Sequence, residues 1–228
     1  TRYRNNIMFS IGKNNSGEIE VGPFESINSK VIMKPESNLL VSELCIKVCY
    51  TIKHYIIEES KLPVTEYPSF EGFWRHIHIR HNMQNDFIIC FRFSNFEEYC
   101  EQWKIEKYNL INYILSKKAL SDNKYNLIKI EYQLCSGKSE PNKISPYYQV
   151  FDISDLYERM MNYLFSLNIG CFYQVNMYSS KYIYNIVKKL VLFNKKTILF
   201  DLCCGIGIYS IILSNRFLRV YGVDNNDD

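Results

Sequence analysis

Apolar residues recur along this chain with two different periods, and the places where the period changes mark out its elements. Residues 7–11 and 18–24 read as short strands around Gly12-Lys13-Asn14-Asn15-Ser16-Gly17, a run rich in residues that tolerate positive φ, so a hairpin is expected. After Pro35 the pattern becomes helical: Leu40, Leu44, Val48, Ile52 and Ile56 recur every four residues, with Ser37 or Asn38 as the cap and an end before Pro63. Residues 73–80 and 86–93 return to the strand pattern, joined by the polar run His81-Asn82-Met83-Gln84-Asn85. A helix over 95–119 follows. It has Glu97 and Glu98 in its first turn and Lys117 and Lys118 in its last, the distribution that the helix dipole favours. Residues 125–134 give one more strand. Counted from Val31-Ile32, the order is strand, helix, strand, strand, helix, strand, which predicts a ferredoxin-like α+β domain over 1–150.

A polar stretch between Ser136 and Asp155, carrying Pro141, Pro146, Lys138 and Lys143, reads as a linker or surface loop. Beyond it, residues 163–175 look strand-like. A helix from Ser180 carries Ile183, Ile186, Val187, Leu190 and Val191 on one stripe. Strand 197–202, a glycine loop, helix 208–216 and strand 219–223 then follow. This is how a doubly wound α/β domain of Rossmann type begins, and a parallel sheet is stable only with both faces covered. Residues 151–228 are therefore expected to be the start of such a domain. The first residue is not Met and the last four follow directly on a strand, so both ends are expected to be cuts.

Composition alters this picture little. At 228 residues and 47% apolar the chain can bury a substantial core, and a formal charge of +3 neither requires nor excludes nucleic acid. No run approaches the roughly 18 apolar residues of a membrane helix, so no membrane association is expected. The eight cysteines (45, 49, 90, 100, 135, 171, 203 and 204) sit largely in apolar runs, where free thiols behave as small hydrophobes. An intracellular reducing compartment is expected, with the organelle open. His76, His78 and His81 lack a Cys-x-x-Cys partner, which disfavours zinc. The alternation with Ile77 and Ile79 places Trp74, His76, His78 and Arg80 on one strand face, wet or touching RNA. Arg4, Arg75, Arg80 and Lys138 are candidates for phosphate contacts and Tyr3 and Trp74 for base stacking, against the alternative of an ordinary solvated surface.

The most specific local signal is Asp201-Leu-Cys-Cys-Gly205-Ile-Gly207 at a strand-to-helix junction. Gly205 and Gly207 permit a tight turn and close approach of a ligand. Seventeen residues after Gly207, Asp224 ends the next strand, where a carboxylate can accept both hydroxyls of an adenosine ribose. A dinucleotide site would need a small residue at position 210 beneath the diphosphate; that residue is Ser, and an acid four positions before the first glycine favours a methyl donor instead.

With Phe172-Tyr173-Gln174-Val175-Asn176 ahead of that loop, the sequence resembles the RNA (uracil-C5) methyltransferase family, whose members pair a Phe-Phe-Gln-Val-Asn type segment with an Asp-Val-Cys-Cys-Gly-Thr-Gly-Thr type loop. The double cysteine is most like the eukaryotic tRNA enzymes. Tyr3-Arg4-Asn5-Asn6 and the segment from Gly72 to Arg80 resemble weaker family features. The resemblance implies S-adenosyl-L-methionine as cofactor, with Gln174 at its methionine part, Cys203, Gly205 and Ile208 along the loop, and Asp224 on the ribose. It implies an RNA substrate, with tRNA favoured, and a base extruded from its stack; the oligomeric state is open, with a monomer favoured. The family adds a cysteine thiolate to uracil C6 so that C5 can take the methyl, and a Glu then removes the C5 proton. Both groups lie far downstream of the loop in the family, so no residue of this chain is assigned a catalytic role. Ile206 and Ile208 replace polar residues of the family loop, and 166–170 replaces its Arg-Ile-Ser-Pro lead-in. Two other readings remain: a class I methyltransferase with a non-RNA substrate, and a non-catalytic RNA-binding module.

Overall fold

A computed structural model describes residues 2–116, 120, 124–136, 141, 145–192 and 194–225. The chain divides into two units, Thr1–Ser154 and Asp155–Asp228. Lys117, Lys118, Lys138, Lys143 and the last three residues lie outside the described residues.

The first unit is built on β1 (Asn6–Lys13), β2 (Ile19–Gly22), β3 (Trp74–His81), β4 (Asp86–Ser94), β5 (Asn126–Cys135) and β6 (Tyr148–Asp152), in the order β2-β1-β3-β4-β5-β6. The β1–β2 hairpin forms as the sequence predicts. Asn14 Oδ1 accepts from the amides of Ser16 (2.9 Å) and Glu18 (3.0 Å), and Gly17 takes φ 76°. All neighbours are antiparallel except β4 and β5, which run parallel because α2 (Phe96–Ser116) connects them.

This strand order is not the ferredoxin-like one. There, the parallel strands of each βαβ unit are separated by a third strand; here β4 and β5 are immediate neighbours. Residues 31–32, counted as the first strand, contribute only a single bridge from Ile32 to Phe24. The place beside β3 goes to β1, whose Ile7, Phe9 and Ile11 supply a longer apolar edge, and Ile32 packs so near the hairpin that a Cβ on Gly12 would fall 2.9 Å from its Cδ1.

Helix α1 (Glu43–Glu58) starts later than the periodicity suggests. Residues 35–37 form a 3₁₀ turn, and Arg4 then holds the next stretch extended: its amide donates to Leu40 O (2.8 Å) and its carbonyl accepts from Ser42 N (3.2 Å). The cap is Ser42, whose Oγ accepts from Cys45 N at 3.3 Å. Leu40 is left outside the helix and exposed, while Leu44, Val48, Ile52 and Ile56 are buried as one stripe. They join Ile77, Ile79, Phe91 and Phe93 of the sheet and Trp103, Leu110 and Ile114 of α2 in a single core. Aromatic rings dominate it: Phe73 stacks on Phe93 at 4.2 Å, and Trp103 meets Phe93 edge-on at 4.7 Å.

One strand of this unit escapes the sequence reading, and one strand face is misassigned. Part of the stretch taken as a linker is β6, which pairs with β5 through Ile130↔Phe151 and stacks Tyr148 on Tyr132 at 5.0 Å. A register shift between Trp74 and His76 also separates residues expected on one face. Trp74 turns to the core with Phe91 and Phe93, whereas His76, His78 and Arg80 alternate onto the opposite side of β3.

In the second unit, β7 (Leu156–Met160) and β8 (Tyr163–Leu167) form an antiparallel hairpin with Met161 at φ 55°. The strand expected over 163–175 therefore stops at Leu167. Beyond it, Asn168 Oδ1 turns the chain by accepting from Gly170 N (2.9 Å) and Cys171 N (2.6 Å). Helix α3 (Met177–Leu190) begins ahead of the predicted Ser180, because Asn176 caps it through Ser179 N at 3.0 Å. Strand β9 (Asn194–Leu202), helix α4 (Ile208–Leu213), a 3₁₀ turn over 214–216 and β10 (Phe217–Val223) complete the unit. Strands β9 and β10 are parallel, with Leu202 opposite Val223 and Asp201 opposite Gly222.

Candidate cofactor site

Between β9 and α4 the backbone enters the left-handed region three times in five residues: Cys203 at φ 59°, Gly205 at 54° and Gly207 at 77°. Gly207 is also the residue from which α4 starts. Positive φ is strained for an L side chain, so glycine at 205 and 207 removes two of three such costs and Cys203 carries the third. Space is not what excludes side chains there. A Cβ on Gly205 would lie 3.6 Å from Phe172 O, ordinary contact, and on Gly207 it would meet nothing closer than 3.9 Å.

Neighbouring elements hold the loop. Gly205 N donates to Asp224 Oδ2 at 2.7 Å, joining the loop to the residue just after β10. Cys204 N donates to Val223 O (3.1 Å) and Gly207 N to Cys204 O (3.0 Å). Asp201 Oδ2, at the end of β9, accepts from both Ser210 N (2.9 Å) and Ser210 Oγ (2.8 Å). Opposite Asp201, Gly222 leaves room for this junction: a Cβ there would fall 2.9 Å from Cys204 Sγ and 3.1 Å from Ser210 Oγ. Burial, and after it the charges of Asp201 and Asp224, push the Cys204 thiol up, so it stays protonated near neutrality.

The structure thus gathers Asp201, Cys203, Gly205, Gly207 and Asp224 at one bend. The Phe172-Tyr173-Gln174-Val175-Asn176 segment runs beside it, since the Phe172 carbonyl is the nearest atom to a Cβ on Gly205. Gln174 and Asp224 are both exposed and free of the core. Ile208 differs from expectation: it is buried at 6% exposure, so its side chain packs inside the unit and only its backbone borders the loop. Sequence spacing does not mark Ser210 and Gly222 as site residues. Their signal is tertiary, because only the parallel register sets Gly222 against Asp201.

The arginines suggested for phosphate contact divide. Arg75 is 1% exposed with its guanidinium over the Phe70 ring at 4.6 Å, and Arg80 is also 1% exposed. A phosphate in solution does not reach either as the fold stands. Arg4 is exposed. His76 is likewise buried, and His78 is half-buried against Asn6 rather than open to a ligand.

Comparison with known proteins adds to this geometry. The chain is 30% identical to a putative RNA methyltransferase of Acanthamoeba polyphaga mimivirus, over 97% of the chain and 54% of that protein. It is 25% identical to tRNA (uracil-5-)-methyltransferase homolog B of Pongo abelii, over 67% of the chain and 31% of that protein. The chain is a relative of RNA methyltransferases. It spans about half the length, or less, of these curated relatives. Its fold matches the crystal structure of Pyrococcus abyssi tRNA (uracil-54, C5)-methyltransferase in complex with S-adenosyl-L-homocysteine, with a TM-score of 0.69 at 20% identity, over 99% of this chain and 50% of that one. No family model matches the chain.

Proposed function

We propose that this chain forms part of an enzyme that transfers a methyl group from S-adenosyl-L-methionine to C5 of a uridine in RNA, with tRNA as the favoured substrate. The observation that carries the reading is the positive-φ bend at 203–207, tied to Asp224 and bordered by the Phe172 segment, in a chain related along its length to RNA methyltransferases. The residues fit an adenosyl ligand. An exposed carboxylate at Asp224 suits the two ribose hydroxyls, Gln174 offers an amide for the methionine part, and no Cβ projects from 205 or 207. When bound, the cofactor supplies an electrophilic methyl group. The chain's own part is to bind and orient: Asp224 holds the bend and would meet the ribose, and the half-buried backbone around Gly205 and Gly207 would border the ligand. No residue here is given the role of nucleophile or base.

The relatives' names support RNA as the partner, and the low charge leaves the contacts to local groups such as Arg4. A reducing compartment suits a chain with eight cysteines, four of the buried ones in α1, β4 and β5. Among the described residues, no helix is long and apolar enough to cross a membrane.

Titration with labelled S-adenosyl-L-methionine tests the site. Binding is expected, and Asp224→Ala should weaken it roughly tenfold or more, as for lost hydrogen bonds to a charged group. Binding that is absent, or indifferent to Asp224, removes the cofactor assignment. Incubation of the whole enzyme of which this chain forms part with RNA containing 5-fluorouracil tests the substrate: a covalent adduct supports uracil-C5 chemistry, and methyl-donor binding without an adduct points to another acceptor.

A further inference from the structure

We infer that Ser210 is a positioning residue for the cofactor bend and that Asp201 serves the cofactor through Ser210 rather than by touching it. The inference rests on the adenosyl reading above and goes beyond it by dividing the two acidic residues at the bend into one that meets the ligand and one that shapes the backbone.

The geometry supports that division. Both hydrogen bonds recorded for the Asp201 carboxylate go to one residue, Ser210, through its amide and its hydroxyl. Asp201 is the last residue but one of β9, and Ser210 is the third residue of α4, so this pair of hydrogen bonds fixes the exit of the strand against the first turn of the helix. Everything between them, including the three positive-φ residues, is a closed loop whose ends cannot move apart while the bond persists. Asp224 acts on the same loop from the other side through Gly205 N, but it stands exposed beyond β10, where a ligand can reach it. The junction has no slack, because a methyl group at position 222 would press on both Cys204 Sγ and Ser210 Oγ. A short loop held at both ends and in the middle keeps its strained dihedrals at little further cost when a ligand arrives, which is what pre-organisation contributes to affinity. An acidic residue four positions before the first glycine and Ser at position 210 thus form one device. The hydroxyl at 210, which argued against a dinucleotide site, is the partner that the carboxylate needs.

The test pairs a readout that needs no cofactor with one that does. In ¹H–¹⁵N spectra of the chain, Ser210→Ala should shift the amide resonances of 203–207 together, and Gly222→Ala, which perturbs the same junction without removing either partner, should shift the same set. Ser210→Thr, which keeps the hydroxyl, should restore the parent positions. Resonances of β4 and β5 serve as the folding control and should not move. In titrations with S-adenosyl-L-methionine, Ser210→Ala should weaken binding about tenfold, the size of one hydrogen bond to a charged acceptor, and Ser210→Thr should recover most of it. Unchanged loop resonances in Ser210→Ala would overturn the inference, as would a Thr variant no better than Ala. If the parent binds no methyl donor while the spectra behave as described, the cofactor reading fails and the positioning of the bend by Ser210 stands.

Discussion

His78 shows how burial, rather than residue type, sets the chemistry of a side chain in this protein. The sequence disfavours a metal at His76, His78 and His81 and places His78 on a wet or RNA-facing strand face. In the fold its Nε2 lies 2.6 Å from Asn6 Oδ1, and burial first, then the charges of Arg92 and Arg80, pull its pKa down to about 3. The ring is therefore neutral at physiological pH, and its Nε2–H donates to Asn6. His81 is also lowered by burial. Its Nδ1 sits 2.8 Å from Asn82 O and its Nε2 2.8 Å from Ser42 Oγ, so Nδ1 carries the proton and Nε2 accepts from the hydroxyl. For a histidine whose folded pKa is depressed, the unfolded chain binds more protons in acid. The stabilising contribution is then complete above about pH 6.5 and drains away as pH falls toward 3. Urea midpoints measured from pH 7 down to pH 4 should decline, and in His78→Gln the decline should be shallower by up to about 1.4 kcal/mol per pH unit, the most that one proton can contribute. Parallel curves for the two proteins would show that His78 is not held neutral.

At the scale of elements, helix starts depend on cap chemistry that the apolar period does not contain. The four-residue repeat from Leu40 suggested a cap at Ser37 or Asn38. Backbone pairing with Arg4 keeps 40–42 extended and leaves that task to Ser42, whose Oγ both accepts from Cys45 N and contacts His81. Ser42→Ala removes both contacts, and thermal or urea unfolding should show a loss of about 1–2 kcal/mol; Asn38→Ala, outside the helix, should cost clearly less. The same reasoning places Asn176 at the start of α3, where it caps through Ser179 N and accepts from Ser180 Oγ at 2.7 Å. The last residue of the segment that marks the family is thus explained by helix capping, while Gln174, two positions earlier, is exposed and available to a ligand.

At the scale of the molecule, the two units differ in how completely each satisfies its own core. All residues of the large apolar cluster lie within the first unit, between Ile7 and Phe151. A protein comprising residues 1–154 should consequently fold alone and unfold cooperatively in urea, with near-ultraviolet dichroism from the packed Trp74 and Trp103; a non-cooperative profile would count against an independent core. The second unit has fewer buried residues, and Ile198, Phe200 and Leu202 of β9 remain largely exposed, with Phe200 stacked on Tyr221 at 5.4 Å. A parallel sheet of two strands covers too little surface to shield both faces, and the chain spans about half the length of the mimiviral relative.

The sequence by itself determined the features that rest on local chemistry. These are the hairpin at Asn14–Gly17, the apolar stripe of α1, the parallel β9–α4–β10 unit, and a strand-to-helix bend marked by Gly205 and Gly207, where backbone dihedrals leave little choice of residue. Tertiary structure alone decided what depends on partners distant in the chain. It placed β1 rather than residues 31–32 beside β3, turned Trp74 inward at the bulge, buried Arg75 and Arg80, and built β6 from a stretch that reads as a loop. It also set Ser210 on Asp201 with Gly222 beneath them. Periodicity reports which residues seek burial, but the identity of the neighbour that buries them follows from strand pairing between segments far apart in sequence, and no single segment encodes that.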